Sequence, residues 1–127
     1  MTTRILIIDD EEEIRDLIPN FLRLRGFDFE SEVAPDGAVG LEMFKRKPFD
    51  LVITDLFMPE TEGLETIGEL IRISEGVKIL AISGGGGTPI GTDILIAAKR
   101  IGAHLTLEKP FNADGLIHAV RTLFPDR

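Results

Sequence analysis

The chain has 127 residues, 43% of them hydrophobic, enough for a single domain with a sizeable core, and its 14 basic against 22 acidic side chains give a net charge of -8. That balance weighs against a nucleic-acid backbone as partner and favours basic partners or a cation. The absence of cysteine excludes disulfides and thiolate metal sites, no apolar run nears the roughly 18 residues that span a bilayer, and "MTTRILIIDD" lacks the apolar stretch of a signal peptide, so the expected setting is the cytoplasm with no membrane partner.

In chain order, "RILIID" predicts a first strand ending at Asp9 and Asp10. Ile14, Leu17, Ile18, Phe21 and Leu22 then fall at i, i+3, i+4, i+7 and i+8, the single apolar stripe of a helix, with Pro19 expected to kink it. Glu12 and Glu13 suit the positive end of that helix dipole. A weaker strand, "FDFESEV", finishes near Ala34 and Pro35, and a second helix carrying Leu41 and Phe44 is capped by Asp36. "FDLVITD" predicts a third strand ending at Asp55, followed by a helix with Leu64, Ile67 and Ile71. "VKILAIS" predicts a fourth strand ending at Ser83, with the glycine run Gly84 to Gly87 after it. The fourth helix, roughly Thr88 to Arg100, contains Ile94, Leu95 and Ile96, which cannot all share one face, so one of them meets solvent or a partner. "AHLTLEK" predicts a fifth strand ending at Lys109, and Leu116, Ile117, Val120 and Phe124 a fifth helix capped by Asn112. His104 and His118 read as packed or solvated residues.

Five alternations of strand and helix predict an α/β fold of the doubly wound, flavodoxin-like kind, (βα)5, with parallel strands in the order 2-1-3-4-5. Right-handed crossovers put every strand's C-terminal end on one edge of the sheet, and ligands bind where strands one and three diverge. Asp55 falls at that point, with Asp9 and Asp10 across from it. Three crowded carboxylates resist ionisation unless a cation shares the charge, and oxygen-only ligands suit magnesium, with manganese as its substitute. Lys109 adds a flexible positive charge, Ser83 a hydroxyl, and the glycine run accessible backbone N–H groups. Together these predict Asp55 as a nucleophile that accepts a phosphoryl group.

With "ILIIDDEE", "DLVITDLFMPETEG", "ILAISG" and "GAHLTLEKPF" in that order, the chain resembles a response-regulator receiver domain over residues 4 to 124, and is similar to the single-domain chemotaxis regulators of bacteria. The resemblance implies Asp55 as phosphorylation site, Asp10 as direct magnesium ligand, Asp9 as a ligand through water, and the backbone carbonyl of Phe57 as third protein ligand. It also implies that Ser83, Lys109 and the backbones of Phe57 and Gly84 hold the phosphoryl group, and that Pro110 follows a cis peptide bond. The donor would be a phosphohistidine of a sensor histidine kinase or phosphotransfer protein in a two-component system. The chain would catalyse only its own phosphorylation and dephosphorylation, and would not be an enzyme acting on outside substrates. A downstream partner would dock on the face of helix four, strand five and helix five, the chain being a monomer or a phosphorylation-linked dimer. Residues 1–127 are expected to form one receiver domain with no output domain.

Two positions depart from the family pattern. Thr106 stands three before the lysine, where relatives carry an aromatic that swings inward in partnership with the strand-four hydroxyl, so the switch would pair Ser83 with Thr106 and rely on another response, such as rearrangement of the glycine loop. Phe57 stands where relatives carry a smaller or polar residue, and is expected to shield the acyl phosphate from water. Two other functions are compatible with the same architecture but not with these residues. A flavin or nucleotide binder would need a phosphate loop after strand one, where "DDEEE" has the opposite charge. An aspartate phosphatase would need a second acid two residues after Asp55, where Phe57 stands.

Overall fold

The computed structural model describes residues 2–56, 62–84 and 89–127, with side chains throughout these except at residues 62 and 89–92. Ten elements alternate: β1 (Thr3–Ile8), α1 (Glu12–Leu24), β2 (Phe29–Ala34), α2 (Gly37–Arg46), β3 (Leu51–Asp55), α3 (Glu62–Ile73), β4 (Lys78–Ser83), α4 (Pro89–Ile101), β5 (Leu105–Glu108) and α5 (Ala113–Leu123). The strands form one parallel sheet in the order β2-β1-β3-β4-β5, as the strand-helix alternation predicts.

The two-residue period of each strand sorts its side chains to opposite faces. Ile5, Ile7, Leu51, Ile53, Leu80 and Ile82 join Ile18 and Leu22 of α1 and Leu116, Ile117 and Val120 of α5 in one buried cluster. Leu6, Ile8, Val52, Ile79 and Ala81 join Phe44 of α2, Ile67 and Leu70 of α3 and Ala98 of α4 in the other. The three middle strands are buried on both faces, which is why they read as continuous apolar runs, whereas edge strand β2 alternates and leaves Val33 45% exposed.

Local signals explain most boundaries. Asp36 accepts the Val39 N–H at 2.9 Å and Asn112 accepts the Gly115 N–H at 2.7 Å, so both caps stand where the sequence puts them. The first helix runs through Pro19, which is buried beside Ile18 and Leu22. The lost main-chain hydrogen bond is outweighed there by burial of the apolar stripe. Ile94 and Leu95 pack on the core while Ile96 is 47% exposed. The fourth helix begins at Pro89; Thr88 lies outside the described residues.

His104 ties the two last strands together at their start. Its N–H donates to the Ile79 carbonyl at 2.9 Å and its Nδ1 accepts the Ile79 N–H at 3.1 Å. Burial, with Lys78 adding its charge, lowers the imidazole pKa below its usual 6.5. Between the folded and unfolded values the unfolded chain binds a proton that the folded chain does not, so this contribution is present at pH 7.5 and fades as pH falls through 6.5. His104→Ala is expected to be less stable than wild type at pH 7.5 by under about 1 kcal/mol, as suits one solvent-screened hydrogen bond, and no less stable at pH 5. Urea midpoints of the pair at both pH values check this, and a gap that widens on acidification counts against it.

Among the described residues no helix is long and apolar enough to cross a membrane.

Candidate functional site at the carboxyl edge of the sheet

Register brings the site together. Ile8 pairs with Thr54, so Asp9 follows β1 at the level of Asp55. Asp55 in turn pairs with Ile82, and Ser83 with Glu108, the residue before Lys109. The ladder is prolonged past the strands by the Leu56 N–H donating to the Ile82 carbonyl and the Lys109 N–H donating to the Ser83 carbonyl, both at 2.8 Å. The lysine loop is held further by a cis Lys109–Pro110 bond and by the Phe111 ring, edge-on to Phe21 of α1 with centroids 6.2 Å apart.

Asp9 and Asp55 are each only 1% exposed, whereas Asp10 and Glu11 face solvent. One oxygen from each of these four carboxylates lies within 4.8 Å of the others. The Lys109 ammonium sits among them, 3.3 Å from Asp9 Oδ2, 3.3 Å from Glu11 Oε1 and 3.4 Å from Asp55 Oδ2. Burial raises the Asp9 pKa to about 6, against the Glu11 N–H that its carboxylate accepts at 2.8 Å, with the Asp55 charge pushing further up and Lys109 pulling down. Burial acts to lower the Lys109 pKa, but the charges of Asp55 and Asp9 and hydrogen bonds to Asp9 and Glu11 outweigh it and leave the ammonium above its ordinary value. An all-oxygen, strongly anionic set of this kind fits a hard divalent cation such as magnesium.

Of the residues singled out from the sequence, the structure brings Asp9, Asp10, Asp55 and Lys109 together. Ser83 is fully buried at the end of β4, and Gly84 lies against the lysine stem, where a Cβ would stand 3.7 Å from Lys109 Cδ. Thr106 pairs with Ala81, and since Leu105 and Leu107 face the α1 and α5 side, Thr106 shares its face of the sheet with Ala81 and Ser83. Phe57 and Gly85 to Gly87 lie outside the described residues.

Three residues were not foreseen. Glu11 reads as one more acid of "DDEEE" and shows its contact with Lys109 only in three dimensions. Arg15 donates from Nη1 to the Asp9 carbonyl at 2.8 Å, fixing the turn between β1 and α1. Gly63 brings the first turn of α3 against the end of β3: a Cβ there would fall 2.7 Å from the Asp55 carbonyl oxygen and 2.8 Å from Leu56 Cα, so any side chain would displace the backbone that carries Asp55. A cleft of about 400 Å³ lined by Glu11, Ile14, Leu17, Gly84, Lys109, Pro110 and Phe111 opens beside this cluster.

Residues 5–121 match the family described as the response regulator receiver domain. The chain belongs to that family. Curated receivers include the chemotaxis protein CheY of Bacillus subtilis, 34% identical over 120 residues that make up 94% of this chain and 96% of that protein. The CpxR homolog of Haemophilus influenzae, a transcriptional regulatory protein, is 31% identical over 95% of this chain but only 50% of its own length. Among solved structures, the receiver domain of NtrX from Brucella abortus superposes with a TM-score of 0.83 at 30% identity, covering 97% of this chain and 99% of that one. Against the longer NtrX chain the match covers 27%. Receivers of this family act in two-component signalling, between kinases and downstream effectors.

Proposed function

We propose that this receiver accepts a phosphoryl group on Asp55 from a phosphohistidine of a sensor kinase or phosphotransfer protein, and that the acyl phosphate changes which partner it binds. The observation that carries the reading is the buried Asp55 carboxylate at the switch point of the sheet, 3.4 Å from the Lys109 ammonium and grouped with Asp9 and Asp10. In the transfer an Asp55 oxygen forms a bond to phosphorus as the phosphorus–nitrogen bond to the donor imidazole breaks, and the departing imidazole takes a proton. Lys109, already placed against the nucleophile, pairs with the phosphoryl oxygens, and the Ser83 hydroxyl and Gly84 N–H donate to them as they arrive. Asp10, Asp9, Asp55 and the Phe57 carbonyl would hold a magnesium ion, which when bound supplies positive charge against the phosphoryl oxygens. Hydrolysis of the acyl phosphate to Asp55 and free phosphate resets the protein, so the only chemistry is on itself.

The readout needs a two-state element. New hydrogen bonds to a charged acceptor, at about 1.5–3 kcal/mol each, supply much of the roughly 5.5 kcal/mol that moves a protein from mostly one state to mostly the other. The face formed by α4, β5 and α5, with Ile96 exposed, is the proposed docking surface. Intact mass after incubation with magnesium and a small acyl-phosphate donor tests the acceptor: one phosphoryl adduct is expected on wild type and none on Asp55→Asn or in excess chelator. An adduct of equal yield on Asp55→Asn would move the acceptor elsewhere, and no adduct on wild type would leave a receiver that signals by binding alone.

A further inference from the structure

We infer that Glu11 is a positioning residue for Lys109 that holds the ammonium at the rim of the acidic cluster and guards it against an incoming phosphodonor. The inference rests on the reading of Asp55 as acceptor. Glu11 occupies the N-cap of α1, yet its side chain makes no capping hydrogen bond. Its backbone is fixed instead: its N–H donates to Asp9 Oδ1 at 2.8 Å, and its carbonyl accepts from Ile14 and Arg15 at 3.1 and 3.2 Å. The carboxylate is therefore free to cross to the far loop, where Oε1 meets Lys109 Nζ at 3.3 Å. Glu12 and Glu13, in the first turn of α1, lie outside the acidic cluster.

An ammonium has three N–H donors, and here three carboxylates stand at 3.3, 3.3 and 3.4 Å. A phosphoryl oxygen can gain Lys109 only as one of these contacts is given up. Asp9 and Asp55 are buried, whereas the Glu11 side chain is 59% exposed and lines the cleft beside Gly84 and Lys109, so it is the contact that can yield to water. Its charge also stands at the mouth that a phosphate-bearing donor enters. Both effects slow transfer, and neither requires Glu11 to touch the reacting phosphorus.

The test measures adduct formation with acetyl phosphate and magnesium, by intact mass, for wild type, Glu11→Gln, Glu11→Asp and Glu12→Gln. Glu11→Gln is expected to react roughly twofold to fivefold faster, the scale of one partly exposed ion pair. Glu11→Asp keeps the charge but is one methylene shorter and favours capping its own helix, so it should be accelerated like Glu11→Gln. Glu12→Gln, which removes the same charge from the same segment, should match wild type. The magnesium-induced rise in unfolding midpoint should be the same in Glu11→Gln as in wild type. An unchanged or slower Glu11→Gln, a Glu11→Asp that tracks wild type, equal acceleration in Glu12→Gln, or a lost magnesium response in Glu11→Gln each overturns the guard. A wild type that takes no phosphoryl group fails the acceptor reading and the guard with it, whereas a labelled wild type beside an unaltered Glu11→Gln rejects the guard alone.

Discussion

Lys109→Met is expected to unfold at clearly lower urea concentration than wild type at pH 7.5, by about 2–3 kcal/mol, and to recover most of that loss near pH 5. The ammonium is the shared counter-charge of Asp9 and Asp55, whose side chains are 2% and 1% exposed. Removing one partner of a buried pair costs about 3–5 kcal/mol because the other charge is stranded, and the 14% exposure of Lys109 places this site somewhat below that range. The pH dependence follows from Asp9, whose folded pKa of about 6 already exceeds the unfolded 3.8 and rises further without the lysine. A carboxyl raised in this way weighs against folding when ionised, so the burden is full above the folded pKa and lifts as acid protonates it. Magnesium should also rescue the variant at pH 7.5, by supplying the missing charge. Equal midpoints for Lys109→Met and wild type at pH 7.5 would show that the carboxylates need no counter-charge.

The second large effect has the opposite sign. Asp9→Asn should stabilise the magnesium-free protein at pH 7.5, by about 1–3 kcal/mol, because the ionised carboxylate is held at a pKa near 6 against 3.8 in the unfolded chain. Asparagine keeps an oxygen for the Glu11 N–H that Asp9 accepts at 2.8 Å, so the turn into α1 survives. The same substitution should remove most of the midpoint rise expected of wild type in magnesium, since Asp9, unlike the solvent-facing Glu11, is a buried carboxylate of the proposed magnesium set with Asp10 and Asp55. Thermal melts in chelator and in millimolar magnesium separate the two effects, and a destabilised Asp9→Asn in chelator would refute the crowding argument. Asp9 and Lys109 are in contact, and without the Asp9 charge the loss of Lys109 strands less, so the double variant should be more stable than the sum of the two separate effects.

Much of this was legible in the residues because the signals were local. Apolar runs and stripes gave the ten elements, Asp36 and Asn112 gave two caps, and parallel topology alone carried Asp9, Asp55, Ser83 and Lys109 to one edge. The triple Ile94, Leu95, Ile96 announced an exposed apolar side chain, and Ile96 is that residue. What stayed hidden depends on register between distant segments. Glu11 and Lys109 are 98 positions apart, and nothing in "DDEEE" distinguishes the acid that leaves its helix from those that serve it. Gly63 gives no sign in sequence that it abuts the Asp55 carbonyl, because only the placement of α3 on β3 creates that contact. His104 looked like a bystander, since its pairing with Ile79 arises between the starts of two strands. Pro19 does not end its helix, which runs on from Glu12 to Leu24 with Pro19 buried inside it, so side-chain burial rather than local propensity governs its extent.

The order of the strands also bears on how the domain assembles. β1 and β3 are neighbours, so the mutually repelling acids at their ends are joined early in any growth of the sheet from its centre, while Lys109 arrives with β5, the outermost strand, two ladders beyond β3. A partly built sheet lacking that strand gathers the negative charges without their counter-ion. If the sheet grows from its centre, forms lacking β5 are expected to carry an electrostatic penalty at Asp9 and Asp55, which docking of the last strand relieves as Lys109 joins them.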